Sequence, residues 1–177
     1  MRITAPLASA LLLAAAFATP ATGQERSDNP QIDYGAFLQL TGELGEVREQ
    51  RLVDLVRFNE IRESGEAILL DTRSAAAFEQ GHIEGAINIP FSDFTDEKLA
   101  KVLGDDKARA ILIYCNNNFS DNAVPVVSKR APLALNIPTF INLHGYGYTN
   151  VWELADVVGT EDVDWVSATP AQPSEDT

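Results

Sequence analysis

Short apolar runs alternate with amphipathic stretches through the middle of the chain. Ala67-Ile68-Leu69-Leu70 is a continuous apolar run ending at Asp71, Ala86 to Ile89 is a second closed by Pro90, and Ala110 to Tyr114 is a third that leads straight into Cys115. Thr139 to Leu143, entered through Pro138, makes a fourth. These four are predicted strands. Helical spacing predicts helices over Asp54–Glu63, Ser74–Gln80, Asp96–Leu103, Asp121–Lys129 and Val151–Val157. Strands that read as unbroken apolar runs are buried on both faces. Alternating with helices, they indicate an α/β domain whose parallel sheet is covered on both sides.

The flanks read differently. Apolar residues at Tyr34, Phe37, Leu38, Leu44 and Val47 are close to helical spacing and predict a helix over 33–48 that packs on the main domain, weakened by Gly42 and Gly45. Residues 24–32 are polar and expected to be flexible. From Thr160 the chain is acidic and carries Pro170 and Pro173; Val163 to Val166 are apolar enough to dock, and the last residues are expected to be disordered. At the other end, Met1-Arg2 is a short positive start, followed by an apolar run from Leu7 to Ala18 broken only by Ser9. That run is too short to span a bilayer, which takes roughly 20 residues, and Ala21-Thr22-Gly23 offers small residues at the cleavage positions. The expectation is a signal peptide over 1–23 and export, most simply to a bacterial periplasm. The expected organisation is then a helical extension over 24–50, the α/β domain over 51–159 and an acidic tail over 160–177.

Composition narrows the chemistry. With 13 Lys and Arg against 26 Asp and Glu, the formal charge is −13, which argues against nucleic acid or an anionic membrane surface as partner. There is one cysteine, Cys115, so an internal disulfide and a multi-thiolate metal site are impossible. The two histidines, His82 and His144, share no metal-ligand spacing, and no metal or other cofactor is implied. An unpaired thiol in an oxidising compartment calls for an explanation.

Ligands in open parallel α/β sheets bind beyond the carboxyl ends of the strands, and Cys115 sits at such an end. Asn116-Asn117-Asn118-Phe119-Ser120 follow it. Asn tolerates left-handed backbone, so the run can curl until successive N–H groups converge on the sulfur. A helix N-terminus capped by Ser120 or Asp121 would add to the cradle and lower the thiol pKa. A cysteine at a strand end is also an ordinary small buried residue, and an Asn run is also an ordinary turn.

A second motif lies upstream. The stretch from Ile68 to Pro90 reads ILLDTRSAAAFEQGHIEGAINIP. Its Asp71 and Arg73, Phe78, Gly81-His82-Ile83, Gly85-Ala86 and Ile89-Pro90 resemble the N-terminal signature of the rhodanese family. The strand ending in Cys115 resembles that family's active-site strand and cysteine. Gly145, Gly147 and Asn150 to Leu154 resemble its late glycine and helix. The resemblance covers about residues 51–159 and implies a three-layer α/β fold with a central parallel sheet. It also implies a cysteine, Cys115, that carries a sulfane sulfur as a persulfide and passes it to a thiophilic acceptor. The implied partners are a small sulfane-sulfur donor and a thiol acceptor. On physical grounds Asp71 can cap the turn after its strand, Arg73 can pair with Glu79, and Gly81 and Gly85 permit tight turns. His82 reads as a structural hydrogen-bonding group.

The active-site loop departs from the family's pattern. Catalytic rhodaneses usually carry a positive residue, often Arg, late in the loop. Here Ser120 and Asp121 stand there, and no Lys or Arg occurs between Arg109 and Lys129. A dianionic donor such as thiosulfate is disfavoured by this acidic setting. Cysteine phosphatases need Arg at the sixth position after the nucleophile, and Asp121 occupies it, which excludes that chemistry. Three functions follow. One is a sulfurtransferase or sulfane-sulfur carrier with Cys115 as nucleophile and Asn116 to Ser120 as anion cradle. Another is a non-catalytic module that binds another exported protein through the Asn-rich loop and Tyr146-Gly147-Tyr148. The third is a redox sensor, which lacks a resolving cysteine.

Overall fold

Two apolar runs, Ile68 to Asp71 and Ile111 to Tyr114, lie side by side at the centre of the sheet and alternate strictly between its two faces. The structure is a computed structural model that describes residues 31–167. The expected signal peptide and the end of the tail lie outside the described residues. The chain divides into two units, 1–33 and 34–177, and the elements below belong to the second.

In chain order they are α1 (Tyr34–Glu49), β1 (Leu52–Val53), α2 (Leu55–Glu63), β2 (Ile68–Asp71), α3 (Ala75–Gln80), β3 (Gly81–Ile83) and β4 (Ile87–Asn88). Then follow α4 (Asp96–Leu103), β5 (Ile111–Tyr114), α5 (Asn136–Gly145), β6 (Val151–Leu154) and β7 (Trp165–Ser167). The main sheet has the order β1-β6-β5-β2-β4, with every pair parallel. Helices start where side chains supply the missing acceptors: Asp54 takes the Arg57 N–H, Ser74 that of Ala77 and Thr95 that of Lys98.

Successive strand residues point to opposite faces. One core layer holds Ile68, Leu70, Ile111, Ile113 and Val151 against Leu44 of α1, Leu99 and Leu103 of α4, and Phe140, Ile141 and Leu143 of α5. The other holds Leu69, Leu112, Tyr114 and Leu154 against Phe58 of α2, with Phe119 and Val126. Both faces are thus covered, giving the three-layer α/β architecture expected from the apolar runs.

Three expected elements are different. Thr139 to Leu143 is the body of α5, not a strand. A helix buried nearly all round has the same unbroken apolar run as a buried strand. Pro138 sits in its first turn, where no intrahelical N–H is needed. Val151 to Leu154 is β6, not a helix; its Glu153 reads as amphipathic in the sequence but is a buried charge on a strand. Asp121 to Lys129 forms no helix. Asn side chains take its backbone groups instead: Asn122 Oδ1 accepts the Ser128 N–H at 3.0 Å, and Asn117 bonds Lys129 at both ends.

The apolar tail segment does dock. β7 pairs antiparallel with β3, Trp165 opposite Ile83. The fit is close at Gly81, where a Cβ would stand 2.6 Å from Trp165 Nε1.

Candidate functional site

Cys115 follows the last residue of β5 and starts a single 3-10 turn over Asn116–Asn118. It lies at the carboxyl end of the central strands, beside the ends of β2 and β6. Its residue is 1% exposed.

The Asn run is an anchoring device as much as a cradle. The Asn118 side chain is buried and fully engaged: its Oδ1 accepts the Cys115 N–H at 2.9 Å and Asn136 Nδ2 at 2.9 Å, and its Nδ2 donates to the carbonyls of Leu154 and Asp156. One amide thus ties the end of β5 to the end of β6 and the start of α5. Asn117 and Asn116 face the other way, toward the segment 120–135, which forms a strap over the turn. Asn117 Nδ2 donates to Lys129 O at 2.7 Å while its Oδ1 accepts the Lys129 N–H at 3.0 Å, and Asn116 Nδ2 donates to Val127 O at 2.8 Å. The left-handed Asn is Asn122, with φ 46°, rather than any of the three after the cysteine.

The cradle around the sulfur is drawn from two segments. Of the five residues expected to make it, the backbone of Asn117 favours the thiolate; the backbone of Leu135 and Asn136, at the start of α5, does the same. The N–H groups of Asn118, Phe119 and Ser120 are bound to the carbonyls of Cys115, Asn116 and Val158. Phe119 is buried against Tyr114 and Trp165. The exposed Ser120 hydroxyl donates to Val158 O, and Asp121 accepts the Thr160 N–H, so neither caps a helix. The expected helix N-terminus is present at the sulfur, but it arrives through α5 after the strap. The sequence marked it only by Pro138, in the first turn of α5.

Burial pushes the Cys115 thiol pKa up, not down as expected. Loss of water around a buried thiolate outweighs the amides of Asn117, Asn136 and Leu135, and the negative charge of Glu153 adds to the rise. In the sequence Glu153 stands out only within the Asn150–Leu154 stretch, with no sign of charge near the thiol, and Arg48 carries no signal at all.

Asp71 and Arg73 support the opposite face. Asp71 Oδ1 caps the turn by accepting the Arg73 N–H at 2.9 Å, and the Arg73 guanidinium forks onto the same carboxylate, Nε to Oδ1 at 3.0 Å and Nη2 to Oδ2 at 2.6 Å. Arg73 therefore pairs with Asp71 and not with Glu79; the fork closes within its own turn, where both groups are buried. Arg73 Nη2 also donates to Gly81 O at 2.7 Å, and the Tyr114 hydroxyl donates to Asp71 Oδ2 at 2.7 Å while accepting the Ile83 N–H. Burial opposes the Arg73 charge, but Asp71 outweighs it and the guanidinium pKa is raised. His82 stacks on Phe78 at 3.7 Å and pairs its Nδ1 with Phe78 O, a structural role. Among the described residues, no three His, Cys, Asp or Glu side chains group as metal ligands, and no helix is long and apolar enough to cross a membrane.

Residues 54–156, more than half of the chain, match the rhodanese-like domain family. The chain belongs to that family. α1 and β7 lie outside the matched segment. An HTH-type transcriptional regulator of Mycobacterium tuberculosis is 43% identical over 58 residues, 33% of this chain and 24% of that protein. An adenylyltransferase and sulfurtransferase of Sclerotinia sclerotiorum is 30% identical over 74 residues, 42% of this chain and 16% of that protein. The chain thus spans a quarter or less of the length of these curated relatives. Among solved structures, a rhodanese-like domain from Anabaena is similar with TM-score 0.47 and 20% identity, covering 72% of this chain and 89% of its own. A human single-domain sulfurtransferase gives TM-score 0.43 and 21% identity over 59% of this chain and 88% of its own.

Proposed function

We propose that this rhodanese-like chain is a sulfurtransferase or sulfane-sulfur carrier with Cys115 as its nucleophile, working in an exported compartment, most simply a bacterial periplasm. The observation that carries the reading is the chain's single cysteine at the carboxyl end of the central strand of a rhodanese-like sheet, where the backbone amides of Asn117, Leu135 and Asn136 favour its thiolate. Backbone amides beside the sulfur partly offset the cost of a buried anion where no Lys or Arg side chain stands in the turn. The export signal in the sequence supports the location.

The Cys115 thiolate attacks the outer sulfur of a donor. A sulfur–sulfur bond forms to Cys115, the donor's own bond to that sulfur breaks, and the rest of the donor leaves with the electron pair. A thiol or other thiophilic acceptor then attacks the outer sulfur and regenerates the thiolate. No net oxidation occurs, so the chemistry calls for no cofactor. The amides meet negative charge in both the thiolate and the persulfide. Because the sulfur is buried, donor access requires local opening of the segments that cover it.

A second reading, a non-catalytic module that binds another exported protein, is favoured by that same burial and the raised thiol pKa. A sulfurtransferase panel with several donors and both cyanide and small thiols as acceptors separates the two. Transfer by the wild type and none by Cys115→Ser supports the carrier. No transfer from any donor, with partner capture equal in both proteins, supports the module.

A further inference from the structure

Glu153 is a carboxylate only 4% exposed, and sulfur transfer as described gives it no task. It stands opposite Ile113 in the parallel register of β5 and β6. Alternate residues of a strand share a face, so Ile113 and Cys115 point to the same side, and Glu153 is their neighbour there. That side carries α5, whose first amides meet the sulfur, and α1, which brings Arg48. Arg48 grips Glu153 with both arms, Nε to Oε2 at 2.8 Å and Nη2 to Oε1 at 2.5 Å.

Other charged groups are turned away from this side or held elsewhere. Asp71, Arg73 and the Tyr114 hydroxyl form their own network on the opposite face. Asp156, past the end of β6, accepts the Leu55 N–H at 2.8 Å. Lys129 and Arg130 of the strap are exposed to solvent. From the Asn turn come neutral amides, and from α5 neutral amides and His144, whose Nδ1 pairs with Phe140 O and whose charged form is disfavoured by burial and by Arg51.

We infer that Arg48 is a positioning residue for Cys115: it holds Glu153 and balances its charge, so that the strand-end sulfur can carry negative charge beside a buried carboxylate. Arg48 lies on α1, outside the segment matched to the family. The added helix is then a structural support that also supplies the countercharge of Glu153. Left alone, a carboxylate in this position opposes the thiolate, and its charge already pushes the thiol pKa up. Arg48 limits that effect.

The inference draws its importance from the sulfur-transfer reading, but protonation of Cys115 is measurable whether or not any donor loads it. The single cysteine gives a single Cβ resonance in full-length protein labelled with 13C-cysteine, and its shift reports thiol against thiolate as pH is raised. Glu153→Gln is expected to lower the titration midpoint, raising the thiolate fraction about fivefold at a pH below it, where one pH unit is a factor of ten. Arg48→Gln is expected to raise the midpoint by a similar factor, and Arg48→Lys to stay within about twofold of wild type. In a Glu153→Gln background, Arg48→Gln should have a smaller effect, because Arg48 is then no longer held over the strand end. A midpoint that Glu153→Gln leaves unmoved or raises overturns the inference, as does an Arg48→Gln effect as large without Glu153 as with it. If Glu153→Gln does not fold, the Arg48→Gln and Arg48→Lys pair decides: equal midpoints overturn it. Shifted midpoints without sulfur loading would sink the transfer reading alone, and loading with unmoved midpoints would sink this inference alone.

Discussion

Asn136 Nδ2 and the Cys115 N–H donate to the same oxygen, Oδ1 of Asn118, each at 2.9 Å. The two donors come from α5 and from the end of β5, so one buried acceptor fixes the start of the helix against the nucleophile's own backbone. The Nδ2 of Asn118 meanwhile satisfies two carbonyls at and beyond the end of β6. Asn118→Ala leaves several buried polar groups unpaired and is expected to cost about 3 kcal/mol in urea unfolding. Asn136→Ala removes a single bond, since the Asn136 Oδ1 has no partner, and is expected to cost about 1 kcal/mol. Equal losses in the two variants would contradict this hierarchy.

The strap is held by Asn117, whose amide pairs with the backbone of Lys129 as a strand neighbour would. Removing that pair should favour local opening without unfolding the sheet. Asn117→Ala is expected to speed alkylation of Cys115 by iodoacetamide about tenfold, the equivalent of about 1.4 kcal/mol in opening free energy. An unchanged rate would mean that the strap does not shield the thiol.

Asp71, Arg73 and Tyr114 form a buried unit whose loss is costly. Truncating one member strands the others, and Asp71→Ala is expected to lose about 3–5 kcal/mol of stability. Arg73→Lys cannot make the fork and is expected to lose about 2 kcal/mol. Urea unfolding of the two variants checks both figures, and a wild-type midpoint in either would contradict the account of this unit.

The same unit sets an alkaline limit. Burial and then the Asp71 charge raise the Tyr114 pKa above its ordinary value. The folded chain therefore keeps the hydroxyl protonated where the unfolded chain ionises it. Its contribution is fully present below about pH 10 and is lost as pH rises beyond, by up to about 1.4 kcal/mol per pH unit. Tyr114→Phe should be less stable at neutral pH, because the bonds to Asp71 and Ile83 are gone, yet show a shallower decline above about pH 10. Parallel declines in the two proteins would contradict a protonated Tyr114.

Gly81 is extended and lies against the Trp165 ring, so its requirement is space rather than backbone freedom. Gly81→Ala must displace the indole and loosen the β3–β7 pair, with an expected loss of about 1–3 kcal/mol. In a Trp165→Ala background the added methyl group meets no ring, and most of its penalty should disappear. Additive losses would argue against this contact.

Legibility in the sequence followed the physics of each element. The runs ending at Asp71 and Tyr114 are bounded by polar residues and too short for helices, so β2 and β5 were readable, and with them the place of Cys115. The segment 139–143 was not, because burial all round erases the period that distinguishes helix from strand. Its misreading hid the N-terminus of α5, which faces the sulfur. The Asn residues signalled a turn correctly, but their side-chain bonds reach Lys129, Leu154 and Asn136, and local sequence carries no trace of such partners. Asp71 and Arg73 stood out, while the fork between them depends on a turn geometry that spacing alone did not distinguish from a pairing with Glu79. Arg48 and Glu153 lie far apart in the chain and meet only because α1 packs on the α5 side of the sheet.

The central claim is that Cys115 takes up a sulfane sulfur. Intact mass of the wild type and of Cys115→Ser, after incubation with a panel of polysulfide, persulfide and thiosulfate donors and removal of excess donor, tests it most directly. The account predicts the gain of one sulfur atom in the wild type, lost again on addition of a thiol acceptor, and no gain in Cys115→Ser. No adduct from any donor, or an adduct of equal size in Cys115→Ser, would contradict it.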